Sequence, residues 1–209
     1  MSISFLVVAV LVLTGCSLGS STERQLADAM AEMNKAEKEY RAVQAELTEL
    51  EKSEQKLFKE TMELTQGQQA ELTTKVAELE KLLGQRLDYL EQEELSMSKA
   101  QQSAGEFEGI IDKAADEEKS KIEELTTAVN NRYALHSAFV SDYKELCVLQ
   151  QELYAMLGAE DTNVTGLQRK VGEVNIQNDN VESAITLFNE ATEKVNVLKD
   201  DVFASLQKD

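Results

Sequence analysis

Stepping from Leu26 alternately by three and four residues visits Leu26, Ala29, Met33, Ala36, Tyr40, Val43, Leu47, Leu50, Glu54, Leu57, Thr61 and Leu64, and all but Glu54 and Thr61 are apolar. A mean spacing of 3.5 residues puts such a stripe on one side of a helix, as in a coiled-coil seam. Thr22 with Gln25 reads as a capping box at its start, and Gly67 is placed to end it. A second series runs Leu72, Val76, Leu79, Leu83, Arg86, Leu90, Glu93, Met97, Ala100, Ala104, Phe107, Ile111 and Ala114. Gly105 and Gly109 weaken its later part, since glycine costs ~1 kcal/mol against alanine inside a helix.

The phase shifts near Asp116, and a third series follows: Ile122, Leu125, Val129, Arg132, His136, Phe139, Tyr143, Leu146, Gln150, Leu153 and Leu157, closed by Gly158. Residues 159–163 read as a loop, and Thr165 with Gln168 as another capping box. The fourth series is Leu167, Val171, Val174, Asn178, Val181, Ile185, Phe188, Thr192, Val195, Lys199, Val202 and Leu206. Four stretches of roughly forty residues, each ~60 Å long as helix, predict an all-α fold. Short connections make neighbours antiparallel, so the expected object is an elongated up-and-down four-helix bundle with coiled-coil-like packing. Three long helices, one of them broken, are the alternative. The polar seam positions Glu54, Arg132, Gln150 and Asn178 are read as setting register.

The first residues follow a different rule. Ile3–Leu13 is an apolar run interrupted only by Ser4, too short to cross ~30 Å of hydrocarbon but suited to the core of a secretory signal. Leu13-Thr14-Gly15-Cys16 follows at once and resembles the lipobox of bacterial lipoproteins. There a thiol takes a diacylglyceryl group and the chain is cut between the residues corresponding to Gly15 and Cys16. Two acyl chains, at ~0.8 kcal/mol per buried CH₂, anchor a protein stably. The expected organisation is a signal peptide over 1–15, the lipidated cysteine and a short linker over 16–21, and a helical domain over 22–209. One departure is that Met1–Ser4 carries no Lys or Arg, where signal peptides are normally basic.

Composition adds constraints. The chain has no Pro and 5% aromatic residues, and 39 acidic against 21 basic residues give a net charge of −18. Nucleic-acid binding, which needs Lys and Arg on phosphates, is excluded on this balance. His136 is the only histidine, and Tyr133 stands three residues before it, so the Glu-x-x-His pairs of bundle di-iron sites are missing. Zinc sites also lack ligands. On the seam, His136 reads as a packed histidine, Cys147 as a small buried hydrophobe, and pairs such as Glu93-Glu94 and Glu117-Glu118 as solvated helix faces. No catalytic set, metal site or cofactor is expected.

Arg86, Leu90, Glu93, Ser96 and the 98–107 stretch, Ile111-Asp112, Arg132-Tyr133, Tyr143, Leu153-Tyr154, Phe188-Asn189, Thr192, Asn196 and Lys199 together resemble the YkyA-like lipoproteins of Gram-positive bacteria, to which cell-wall binding is ascribed. Val195 and Phe203 depart from it, standing where that family favours tyrosine. The resemblance implies an elongated bundle and an envelope location, and it implies no reaction. Its motif positions Arg132, Tyr133, Tyr143, Tyr154, Phe188 and Asn189 are the candidate site residues. The expectation is a non-enzymatic lipoprotein on the outer face of the cytoplasmic membrane, held by Cys16 and contacting cell-wall material. The alternative is a coiled-coil scaffold or adaptor for another envelope protein.

Overall fold

The computed structural model describes residues 21–64, 66–159 and 163–207. The expected leader, with Gly15 and Cys16, lies outside them. Among the described residues there is no strand. Helices α1 (Ser21–Ala36) and α2 (Lys38–Met62) form one bent rod. After a 3₁₀ turn at Gln66–Gln68 come α3 (Gln69–Ala104) and the short α4 (Glu106–Ile111). Then follow α5 (Asp116–Gly158) and α6 (Val164–Leu206), each of 43 residues, about 65 Å at 1.5 Å per residue. The elongated all-α four-helix bundle expected from the seams is the observed fold, with the first rod bent and the second broken at Gly105.

The bend between α1 and α2 has an identifiable cause on another helix. Ser96 of α3 donates its hydroxyl to the Ala36 carbonyl at 2.7 Å and accepts the Tyr40 amide at 3.0 Å. It thus replaces the Tyr40-to-Ala36 bond of the helical ladder, and a side chain inserted there kinks a helix. The bend rotates the stripe that follows. Beyond it Gln44 is buried and Leu50 only half-buried, with Glu51 turned inward beside it.

Three helix boundaries differ from expectation. The first rod stops at Met62, ahead of Gly67, which lies in the 3₁₀ turn. Helix α1 already includes Ser21, so Thr22 lies inside it rather than capping it. Helix α6 is capped by Asn163, whose Oδ1 accepts the Gly166 amide at 2.6 Å. Asx side chains at this position satisfy the orphan amides of a first turn, which places Thr165 inside the helix.

The bent rod packs on α3, α3 on α5, and α5 on α6. Closure of the ring is incomplete. Helix α1 approaches α6, and Gln207 Nε2 reaches Glu23 Oε1 at 3.2 Å. Around that end Leu26, Met30, Met33, Phe107, Val195 and Val202 are buried in a continuous apolar core. Helix α2 behaves otherwise, since no Cα of α2 lies within 8 Å of one in α6. The bundle is therefore closed along α1 and split along α2.

Candidate functional site

Buried polar groups lie along the core in three layers. Nearest the closed end, Arg132 grips Glu37 with both terminal nitrogens, at 2.5 and 3.0 Å. Its Nε donates to Thr192 Oγ1 at 2.8 Å, and the Tyr133 hydroxyl donates to Glu37 at 2.8 Å. The guanidinium also lies over the Phe188 ring, 5.0 Å from its centroid. Arg132 and Glu37 are only 1% and 2% exposed, so their mutual charge and this full set of hydrogen bonds must offset their desolvation.

In the middle layer Glu93 faces His136 Nε2 at 2.7 Å and accepts Gln44 Nε2 at 2.5 Å. This corrects the reading of Glu93 as a solvated carboxylate: it is 0% exposed while Glu94 is exposed. Burial pushes its pKa up, and the contacts to His136 and Gln44 oppose that shift. His136 is packed, as its seam position predicts, among the rings of Tyr40, Phe139 and Phe188.

The third layer centres on Arg86. Its Nε donates to the Tyr143 hydroxyl at 2.9 Å, and its Nη1 donates to Glu54 at 2.8 Å and to Gln150 at 2.9 Å. The Tyr143 hydroxyl donates to Glu51 at 2.6 Å, and the Tyr154 hydroxyl donates to Glu54. Cys147 is buried beside this group, and burial holds its thiol up at about 11. The free buried cysteine is the small hydrophobe expected.

The third layer lies under an opening. Where α2 and α6 stand apart, a cleft has Arg86, Tyr143 and Gln150 in its floor. Glu51, Gln55 and Phe58 of α2 form one side, and Asn178, Val181 and Glu182 of α6 the other. It contains about 60 Å³ of space open to water centres, several water molecules' worth at roughly 10–15 Å³ each.

The structure divides the expected site residues. Arg132, Tyr133 and Phe188 meet in the sealed layer, whereas Tyr143 and Tyr154 meet in the cleft layer. Asn189 joins neither hydrogen-bond network. Its Oδ1 is buried without a partner, as is that of Asn196. Sequence reasoning missed Glu37, Gln44 and Glu51, which supply the acid or amide partner in the successive layers. Their seven-residue spacing was the available signal.

Among the described residues, no group of three or more His, Cys, Asp or Glu is placed to hold a metal ion. No described helix is long and apolar enough to cross a membrane. The family model described as "Putative cell-wall binding lipoprotein", YkyA, matches residues 21–205. The chain belongs to the YkyA family. A relative from Bacillus subtilis (strain 168), "Uncharacterized lipoprotein YkyA", is 26% identical over 197 residues, covering 92% of this chain and 86% of the relative. A crystal structure of a conserved protein of unknown function from Staphylococcus aureus superposes with a TM-score of 0.73 at 21% identity, covering 90% of this chain and 98% of that one. That likeness establishes the shared fold. The family supports an envelope lipoprotein and leaves the ligand unnamed.

Proposed function

We propose that this YkyA-family protein is a non-enzymatic binding protein on the outer face of the cytoplasmic membrane, held by lipid on Cys16 and binding cell-wall material in the α2–α6 cleft. The observation that carries the reading is the split in the bundle. It leaves a polar, aromatic-walled recess in a fold whose other two polar layers are sealed. Family membership supports the envelope location.

Topology supports an orientation. The N-terminus of α1, helix α4 and the C-terminus of α6 share one end of the rod. A linker of residues 17–21 spans at most ~17 Å, which keeps that end near the lipid. Glu54 lies 33 residues beyond Ser21 along the first rod, about 50 Å at 1.5 Å per residue. The cleft is thereby held away from the membrane, toward the wall.

Two measurements test this reading. Clickable fatty-acid labelling should mark the wild type and vanish in Cys16→Ala. The detergent-solubilised lipoprotein should be retained on purified peptidoglycan sacculi well above an acidic control protein of similar charge. Retention equal to the control ends the wall-binding reading. Crosslinking in cells to one recurrent envelope protein would replace it with the adaptor reading.

A further inference from the structure

The proposed wall binding leaves open which chemistry the cleft recognises, and the lining residues narrow that choice. Arg86 is the only cation among them, against the carboxylates of Glu51, Glu54 and Glu182. Its Nε and Nη1 donors are committed to Tyr143, Glu54 and Gln150, and Nη2 faces the Glu51 carboxylate at 3.8 Å. It is also 3% exposed, so it is not available to receive an incoming phosphate or carboxylate. The rim is what a ligand meets first: Glu51 is partly exposed and Glu182 exposed, with the half-buried ring of Phe58 lying 6.2 Å from that of Tyr154. Carboxylates beside aromatic faces attract cations, through charge and through the ring quadrupole.

We infer that the α2–α6 cleft is a receptor for an alkylammonium group of wall material, seated between Glu51 and Glu182 against the Phe58 ring. The inference rests on the wall-binding reading for the ligand's source, though not for its chemistry. It also reconciles a net charge of −18 with an anionic wall. Repulsion between exposed charges is screened beyond ~8 Å at physiological salt, and contact is made at the wall's amines.

The test uses the full-length lipoprotein in detergent on three preparations of sacculi: untreated, fully amine-acetylated, and stripped of ester-linked amines by mild base. Acetylation is expected to lower retention about tenfold, the effect of losing one charge-assisted contact. Survival of binding after mild base assigns the amine to the peptide, and its loss assigns it to ester-linked substituents. Either result upholds the class. Glu182→Gln, an exposed change, should weaken retention severalfold with the helical circular dichroism unchanged, and adding Glu51→Gln should weaken it further.

In parallel, Nα-acetyl-lysine amide should shift the methyl resonances of Val181 and Ile185, while its Nε-acetyl derivative should not. Retention that ignores both acetylation and the Glu182→Gln change overturns the amine inference and leaves wall binding standing. No retention on untreated sacculi, with the lysine probe still shifting Val181, overturns wall binding and leaves the amine receptor standing. A silent probe together with acetylation-insensitive retention refutes the receptor outright.

Discussion

The Arg132 and Arg86 layers use the same parts to different ends. Each has a buried guanidinium, a carboxylate from the first rod, a tyrosine hydroxyl and an amide or hydroxyl from a neighbouring helix. Around Arg132 the first rod and α6 come together, and the cluster is sealed, with Arg132 also stacked on Phe188. Around Arg86 the first rod has bent away, α6 stands apart, and the cluster becomes the floor of a cleft. The difference lies in backbone placement rather than in residue type. It teaches that a buried ion pair in this fold is by itself a register device, and becomes a site only where the ring of helices is open.

Breaking each pair in turn makes the comparison quantitative. Arg132→Met should cost about 3–5 kcal/mol in denaturant unfolding, because it leaves the buried Glu37 with only the Tyr133 hydroxyl and the more distant Arg41 guanidinium, 3.9 Å away. Next comes alkaline pH. Tyr40, Tyr133, Tyr143, Tyr154 and Cys147 all have pKa values raised chiefly by burial. These groups keep their protons when folded and release them when unfolded, so the stabilisation is complete below the unfolded pKa and declines as pH rises toward the folded one. For Cys147 that window runs from 9.0 to about 11, worth about 3 kcal/mol at 1.4 kcal/mol per unit. Urea midpoints measured from pH 8 to 11 should fall steeply. A flat profile would show that these groups are not held out of water in the folded protein.

Arg86→Met should cost less than its counterpart, about 1–3 kcal/mol, because water entering the cleft can solvate Glu54. A loss equal to that of Arg132→Met would erase the distinction between the two layers. The smallest effect is expected from Ser96→Ala, about 1 kcal/mol. The Tyr40 amide and Ala36 carbonyl lose their shared partner, but the rod can straighten and restore the regular ladder bond. Hydrogen exchange at the Tyr40 amide checks this, and unchanged protection with no loss of stability would contradict the role given to Ser96.

How much of this was legible in the sequence follows from what each feature depends on. The four stripes depend on local spacing; α5 buries its stripe from Ile122 to Leu153 and α6 from Ile185 to Leu206, while the α6 stripe beside the cleft is half-buried. The break at Gly105 was also visible, because glycine weakens a helix wherever it lies. The bend at Ala36–Tyr40 was not, since it depends on Ser96, far along the chain and on another helix. Leu50 looked like a core position for that reason, and the bend turns Glu51 inward instead. Glu37 lies one residue off the first stripe, and Glu93 was masked by the solvated Glu94 beside it. The cleft itself was out of reach: apolar stripes report which faces are buried, not which two helices fail to meet.

Blocking the opening is the most direct test of whether the split in the bundle is the binding site. A single cysteine at Gln55, labelled with a bulky maleimide while Cys147 stays buried, fills the cleft. The same label on Leu187→Cys decorates a side chain that is 50% exposed and outside the cleft lining. The Gln55 adduct is expected to lose retention on sacculi while the Leu187 adduct is retained like the unlabelled protein. Equal retention of both adducts would contradict it.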